Sequence, residues 1–204
     1  MNLSMARTEL ILGGQKSGKS RRAELLARDW LAQSPEHRAL MLATAQAWDE
    51  EMQQRIQRHQ QDRAQRVPGM ATLEEPRYLA QALQQHSRPN TLIVVDCLTL
   101  WLTHWLMPAD AATTLPTAQD WPAQASAFCA ALAQAPGPVV LVGNEIGLGV
   151  IPLGREVRAF VDALGQLNQQ VAQACQRVTL MAAGLPLTLK DSVKDAPCHG
   201  LYAV

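Results

Sequence analysis

The sequence has no excess of either charge and no hydrophobic run long enough to span a membrane. Its 18 basic residues are balanced by 18 acidic residues, so nothing indicates a nucleic acid as a partner. No run of about 18 apolar residues occurs, and residues 1–8 lack the apolar segment of a signal peptide. We predict a cytoplasmic protein without a membrane span, in which any phosphate binding is local.

Cysteine is also scarce, with four residues at positions 97, 129, 175 and 198. They lie far apart and form no C-x-x-C pair, which argues against a disulfide framework and against a zinc site. Reduced thiols in a cytosolic protein fit this pattern best.

Apolar residues, by contrast, are abundant enough for one large core. Hydrophobic residues make up 48% of the 204 positions, and a chain of this length most often forms one domain. We assign residues 1–190 to that domain. Residues 191–204 carry no periodicity, and we predict a loose C-terminal tail there.

Short apolar runs alternate along the chain with segments of helical periodicity. The runs predict strands at 9–12, 39–43, 91–96, 139–142, 178–181 and 185–189. The periodic segments predict helices at 19–33, 49–66, 76–86, 98–106, 123–133 and 155–175, with an irregular loop at 107–122. This alternation is typical of an α/β fold with a mainly parallel sheet flanked by helices.

One motif lies between the first predicted strand and the first predicted helix. It matches G-x-x-x-x-G-K-[ST] and consists of Gly13, Gly14, Gln15, Lys16, Ser17, Gly18, Lys19 and Ser20. Glycines let successive backbone N–H groups converge on phosphate oxygens, and the helix N-terminus adds its positive end. Lys19 would reach the β- and γ-phosphates, and the Ser20 hydroxyl would bind Mg²⁺. The alternative is a glycine-rich turn with a solvated lysine, which would seldom fall between a strand and a helix.

A candidate magnesium carboxylate ends the clearest predicted strand. Asp96 follows the apolar run 91–95, and a carboxylate at that place can reach the Mg²⁺ held by Ser20, usually through water. Aspartate is also common at strand ends for turn formation alone. The upstream phosphate loop favours the metal role.

A histidine lies between two arginines on one face of the second predicted helix. Arg55, His59 and Arg63 are four residues apart and share that face. Two positive charges disfavour a third, so the imidazole would keep a lone pair able to attack phosphorus, while the guanidinium groups bind phosphate oxygens. The residues alone favour the alternative, a solvated charged helix on which His59 has no role.

Three further features stay open at this level. His104 in an apolar helix is more often a packing residue than a ligand. Trp101 and Trp105 are typical of a core, although one could contact a large apolar substrate. Glu145 follows a strand and could contact a metal or a substrate, or neither.

Several strings in order resemble the bifunctional adenosylcobinamide kinase/adenosylcobinamide-phosphate guanylyltransferase family of cobalamin biosynthesis. Besides the phosphate loop, the strings are Ala43-Thr44-Ala45-Gln46, Asp49-Glu50-Glu51-Met52, Arg55-Ile56-Gln57-Arg58-His59, Thr72-Leu73-Glu74-Glu75-Pro76, residues 95–103, Asn144-Glu145-Ile146-Gly147-Leu148-Gly149-Val150-Ile151-Pro152, Gly165-Gln166-Leu167-Asn168-Gln169 and Gly184-Leu185-Pro186-Leu187. The resemblance covers about residues 8–190. The chain departs from it at Arg58, where many members carry a second histidine, and at Gly143, where threonine is usual.

The resemblance implies a P-loop, RecA-like fold, a homotrimer and two reactions. A nucleoside triphosphate, GTP or ATP, first phosphorylates adenosylcobinamide. GTP then donates GMP to adenosylcobinamide phosphate through a GMP-histidine intermediate, and the matching position is His59. By the same match, the other residues implied in binding the nucleotide with Mg²⁺ are Thr44, Ala45, Gln46, Gln60, Gln61, Asp62, Arg63, Glu74 and Asp96.

Two other functions remain to be separated from this one. The first is a kinase alone, without the histidine intermediate. The second is a GTP-dependent switch, against which the sequence contains no N-K-x-D motif for reading guanine.

Overall fold

A computed structural model describes residues 5–47, 50–107 and 120–192. The strands are β1 (Thr8–Gly13), β2 (Arg38–Ala43), β3 (Met70–Glu74), β4 (Thr91–Asp96), β5 (Val139–Val142), β6 (Arg177–Ala182) and β7 (Leu185–Asp191). The helices are α1 (Lys19–Leu31), α2 (Glu50–Arg66), α3 (Leu79–His86), α4 (Leu98–Leu106), α5 (Trp121–Gln134) and α6 (Arg155–Ala174). Within these ranges, none of the helices is long and apolar enough to cross a membrane.

The strands form one sheet in the order β3-β2-β4-β5-β1-β6-β7. Every neighbouring pair is parallel except β6 and β7, which are antiparallel. Strand β5 lies between β1, which leads into the glycine motif, and β4, which ends at Asp96. This mainly parallel sheet with flanking helices confirms the predicted fold class.

The central strands are mostly apolar because both faces of the sheet are covered. One face packs on α3, α4, α5 and α6, with Trp101, Trp105 and Phe128 among its largest buried side chains. The other face packs on α1 through Ala23, Leu26 and Ala27. The two tryptophans that the sequence left open therefore belong to the core.

His104 is buried beside them, with only 3% of its surface exposed. Its Nε2 lies 2.7 Å from the backbone oxygen of Thr44. Burial lowers the pKa of His104, an effect that the bond to Thr44 opposes. The side chain thus packs between α4 and the end of β2.

Strand β3 was absent from the sequence prediction. It pairs with β2 at the edge of the sheet, and none of its five residues is fully buried. Its sequence, Met-Ala-Thr-Leu-Glu, carries no apolar run, because an edge strand is covered less than a central one. Helix α5 also begins two residues before the predicted start, and Pro122 fits in its first turn, where the missing N–H costs nothing.

The predicted tail begins one residue too early. Asp191 is the last residue of β7, is buried, and lies 3.1 Å from Arg177 on β6. Arg177 in turn lies 3.7 Å from Glu9 of β1. Most of the predicted loop, 108–119, and residues 193–204 of the tail lie outside the described residues.

Candidate active site

Six parallel strands end at one edge of the sheet, and several predicted site residues lie at or just after the ends of β1, β2, β3 and β4. Backbone hydrogen bonds continue past the strand ends: Glu145 N–H donates to Gly13 O (3.1 Å), Thr44 N–H to Asp96 O (3.0 Å) and Glu75 N–H to Ala43 O (2.9 Å). Ligands of α/β sheets bind at this carboxyl edge. The fold therefore gathers residues from β1, β2, β3, β4 and β5 on one rim.

The phosphate loop leaves β1 at Gly13 and enters α1 at Lys19. Gly13 has a φ of 151° and Gly18 a φ of 102°. A Cβ on Gly13 would meet the backbone oxygen of Met181 and lie 2.6 Å from Ser17 Oγ. Only glycine fits there. The turn between β6 and β7 holds the loop from outside, since Gly184 N–H donates to Ser17 O (3.0 Å).

Lys19 is nearly buried, with 7% of its surface exposed, and its Nζ donates to Gly14 O at 2.6 Å. Burial lowers the pKa of Lys19, and the neighbouring Cys97 and Asp96 side chains oppose this effect. The ammonium group therefore binds within the phosphate loop, close to the end of β4.

Asp96 is half-buried at the end of β4. Burial raises its pKa above the ordinary value of 3.8. The side chains of His59, Arg63 and Lys19 act against this rise in the pKa, in that order. Asp96 thus faces both the phosphate loop and α2.

His59 and Arg63 come from the same face of α2, and the structure brings both toward Asp96. His59 is exposed at the rim. Arg63 is buried, and its guanidinium donates to Thr72 Oγ1 of β3 at 3.1 Å. The side chain of Arg55, the third member of the predicted face, lies outside the description.

Thr44, which the family resemblance implies in nucleotide binding, has its side chain inside the protein. It is fully buried, and its hydroxyl donates to Cys97 O (2.8 Å) and accepts from Cys97 N–H (2.7 Å). The side chain therefore ties the end of β2 to the end of β4. Burial raises the pKa of Cys97, as does the neighbouring Asp96.

A cleft of about 580 Å³ separates α2 from the end of β2. Its lining contains predicted nucleotide-binding residues, namely Ala45, Gln46, Gln60 and Glu74. Gln53 and Gln57, which the sequence prediction did not single out, line it as well. Their spacing from Gln60, seven and three residues, is one helical face and could have identified them.

The predicted residues of α2 that are not part of this lining are His59, Gln61, Asp62 and Arg63. Gln61 is exposed. Asp62 lies 3.1 Å from Arg66, one turn further along α2.

A second cavity, of about 410 Å³, lies between the phosphate loop, the end of β6 and the segment that follows β5. Residues of the loop, Glu145, Leu148 and residues 180–183 line it. Glu145 accepts a hydrogen bond from Gly147 N–H (2.8 Å). The segment beyond it exposes Leu148, Val150 and Leu153 at 82%, 96% and 97%.

The donors present suit a magnesium ion shared with a nucleotide. Among the residues described, no group of three or more His, Cys, Asp or Glu side chains could hold a metal ion. Ser20 and Asp96 offer a hydroxyl and a carboxylate oxygen, and Mg²⁺ is commonly bound by one or two such groups together with phosphate oxygens.

Residues 9–189 match the protein family described as cobinamide kinase / cobinamide phosphate guanyltransferase. The bifunctional adenosylcobalamin biosynthesis protein CobP of Pseudomonas aeruginosa is 46% identical over 183 residues, which cover 89% of this chain and 96% of that protein. The protein CobU of Escherichia coli, with the same description, is 34% identical over 188 residues, 89% of this chain and 98% of that protein.

Two solved structures resemble the fold more distantly. The flagellar accessory protein FlaH from Methanocaldococcus jannaschii has a TM-score of 0.48 and 11% identity, covering 92% of this chain and 80% of that one. The second structure, described as an ATPase domain, has a TM-score of 0.49 and 13% identity, covering 86% of this chain and 69% of that one. At such scores the fold assignment rests on the sheet itself.

Proposed function

We propose that this chain, which belongs to the cobinamide kinase / cobinamide phosphate guanyltransferase family, catalyses both reactions at the one rim described above. A nucleoside triphosphate phosphorylates the alcohol of adenosylcobinamide. GTP then transfers GMP to adenosylcobinamide phosphate, giving adenosylcobinamide-GDP and pyrophosphate. The observation that supports the proposal is the position of Asp96, which is close enough to Lys19 of the phosphate loop and to His59 of α2 for both to lower its pKa.

In the kinase step, the backbone N–H groups of residues 13–20 and the Lys19 ammonium hold the triphosphate. Lys19 now donates to Gly14 O, and phosphate oxygens would replace that partner. The acceptor oxygen attacks the γ-phosphorus, the bond to the β-phosphate oxygen breaks, and the hydroxyl proton is lost. Such reactions depend on positioning and on charge stabilisation more than on covalent chemistry by the protein.

In the guanylyl step, His59 is the nucleophile. A ring nitrogen attacks the α-phosphorus of GTP, the bond to pyrophosphate breaks, and GMP stays on His59. A phosphate oxygen of adenosylcobinamide phosphate then attacks the same phosphorus, and the P–N bond breaks. Arg63, buried one turn from His59, supplies positive charge beside the reacting phosphate.

The cleft between α2 and the end of β2 is the proposed site for the guanine base. Guanine presents two kinds of N–H donor and one carbonyl acceptor on one edge. The Glu74 carboxylate can accept from the donors, and side-chain amides of Gln46, Gln57 or Gln60 can donate to the carbonyl. Adenine has one amino donor and a ring-nitrogen acceptor on this edge, so it lacks the second N–H for Glu74 and the carbonyl for the amides.

Mg²⁺ would be held by Ser20 and Asp96 with the phosphates, where it supplies charge neutralisation. Thr44 acts in this scheme by fixing the β4 end that carries Asp96. A cytoplasmic location stays a prediction.

The decisive experiment follows label from GTP. Protein incubated with GTP labelled at the α-phosphate should gain an acid-labile label, and His59→Ala should not. His59→Asn is the matched control, since it keeps a polar side chain and should also fail. Equal labelling of His59→Ala would refute the histidine role and leave a kinase alone.

Lys19→Ala should impair both reactions, because both need the triphosphate in place. A Lys19→Ala variant with full kinase activity would contradict the assignment of the loop. GTP hydrolysis without any conversion of adenosylcobinamide would instead favour a switch.

A homotrimer is proposed from the family resemblance, and exposed apolar surface supports a contact between protein chains. Exposed aliphatic side chains occur on the segment that follows β5 and along one face of β7, at Leu148, Val150, Leu153, Leu185 and Leu187. Apolar surface of this kind marks protein contacts. Sedimentation equilibrium should give about three times the chain mass of 22.3 kDa, and Leu153→Asp should lower it. A monomer at micromolar concentration would refute the trimer.

A further inference from the structure

Helix α2 carries the proposed nucleophile but has almost no apolar surface. Its 17 residues include only three apolar ones, Met52, Ile56 and Ala64, and none of them is fully buried. Helices in globular proteins are usually held by a buried apolar face. The position of α2 over the rim must therefore depend strongly on polar contacts.

Those polar contacts lie near the C-terminal end of α2, on the face that carries His59. Arg63 and Arg66 follow His59 by four and seven residues, so the three side chains share one face. Arg63 donates to Thr72 of β3, and Arg66 lies 2.9 Å from Glu24 of α1. The two arginines thus attach one helix to two different elements.

The Glu24 carboxylate is almost wholly buried, whereas Arg66 remains half exposed. Glu24 also follows Ser20 by four residues on α1, the helix that begins within the phosphate loop. Its charge is close enough to Asp96 to raise the pKa of that carboxyl, which places it beside the site rather than on the outer surface. Asp62 holds the other side of the Arg66 guanidinium at 3.1 Å.

We infer that the Arg66–Glu24 ion pair is a positioning contact for guanylylation, fixing the distance between His59 on α2 and the α-phosphate of a nucleotide held at the start of α1. Neither residue touches the reacting atoms. The buried Glu24 carboxylate joins α1, where the nucleotide is held, to α2, which carries the nucleophile, and so sets the relative position of the two helices. The kinase step needs no nucleophile from α2. The inference rests on the function proposed above.

The test compares the two reactions in Glu24→Gln, Arg66→Gln and the double variant. Transfer of label from GTP to the protein should slow about five- to tenfold in each single variant. The double variant should be no slower, because each single substitution already breaks the same ion pair. Formation of adenosylcobinamide phosphate should change less than about twofold. Arg66→Lys keeps the charge but loses the planar guanidinium donors, so its labelling rate should lie between those of wild type and Arg66→Gln.

Arg28→Gln is the matched control. Arg28 is an exposed arginine of α1 that pairs with its neighbour Asp29, away from α2. It should label at the wild-type rate. Slow labelling of Glu24→Gln with normal labelling of Arg66→Gln would overturn the inference, because the carboxylate would then act on Asp96 directly. An equal fall in both reactions would overturn it too, as a general loss of structure.

Hydrogen exchange separates this inference from the proposed function. Amides of residues 50–66 should exchange faster in Arg66→Gln than in wild type, and those of α6 should not. This holds whether or not the wild-type protein accepts GMP. Absence of labelling in wild type refutes the histidine chemistry, whereas unchanged exchange of α2 refutes the ion pair as its anchor.

Discussion

Replacing Gly13 by alanine tests whether the phosphate loop depends on backbone freedom at one residue. The φ of 151° at Gly13 belongs to a region that other residues rarely adopt. The added methyl group would also meet the backbone oxygen of Met181 and lie 2.6 Å from Ser17 Oγ. Met181 belongs to β6, which pairs with β1, so its oxygen cannot retreat without a shift of the strand.

The magnitude follows from these two effects. Backbone strain of this kind costs about 1–3 kcal/mol, and displacing packed neighbours costs about 1–3 kcal/mol. The sum is about 2–6 kcal/mol. In a chain of this size each kcal/mol lowers Tm by roughly 2–4 °C, so Gly13→Ala should melt roughly 4–24 °C below wild type. Its affinity for GTP should fall at least tenfold, because the loop N–H groups no longer converge.

Two glycine variants serve as controls in calorimetry and GTP titration. A Cβ on Gly14 meets nothing within 4 Å, so Gly14→Ala should keep the wild-type Tm within about 2 °C. A Cβ on Gly137 would meet Arg88 O and lie 2.6 Å from Thr91 O, far from the rim. Gly137→Ala should therefore melt lower but bind GTP normally while folded. A Gly13→Ala protein that melts within 2 °C of wild type would refute the reasoning.

Three further predictions concern buried charges and thiols. Burial raises the pKa of Asp96 above 3.8, so the folded protein holds that proton more tightly and loses stability as pH rises from 3.8 through the folded value. Asp96→Asn should thus raise the Tm of the nucleotide-free protein at pH 7, and a lower Tm would contradict this. Burial raises the pKa of Cys175 to about 12, so iodoacetamide at pH 8 should label it only after denaturation, as peptide mass spectrometry can check. Glu9→Gln, which leaves Arg22 without its buried partner at 2.9 Å, should lower the free energy of unfolding by about 3–5 kcal/mol in urea, against less than about 1 kcal/mol for the exposed Asp29→Asn.

The sequence predicted those parts of the fold whose residues are buried on both sides. Residues 92–95 and 139–142 form uninterrupted apolar runs, and the strands that contain them, at 91–96 and 139–142, have the predicted bounds. Residues 70–74 form a strand as well, but only because β2 offers an unpaired edge to them. That reason lies in the rest of the sheet, so no local pattern could indicate it.

The same distinction applies to the candidate site. The phosphate loop works through its own backbone, so its eight residues could be identified from their order alone. The role of His59 depends on its proximity to Asp96, which only the folded sheet produces. The residues by themselves favoured a solvated helix. Family resemblance, not chemistry visible in the sequence, indicated its role. Glu24 lacked even that signal, because its partner Arg66 is 42 positions away.

The gathering of predicted site residues at one edge of the sheet leaves the other edge free of them. At the amino ends of the strands, Asn90 O accepts from Arg38 N–H (2.9 Å), and Asn90 Nδ2 donates to Glu36 O (3.0 Å). Gly137 N–H bonds to Ser87 Oγ there as well (3.2 Å). Substitutions at the two edges should therefore have separate effects. Those at the amino edge change the stability of the fold, and those at the carboxyl edge change which nucleotide and which acceptor bind.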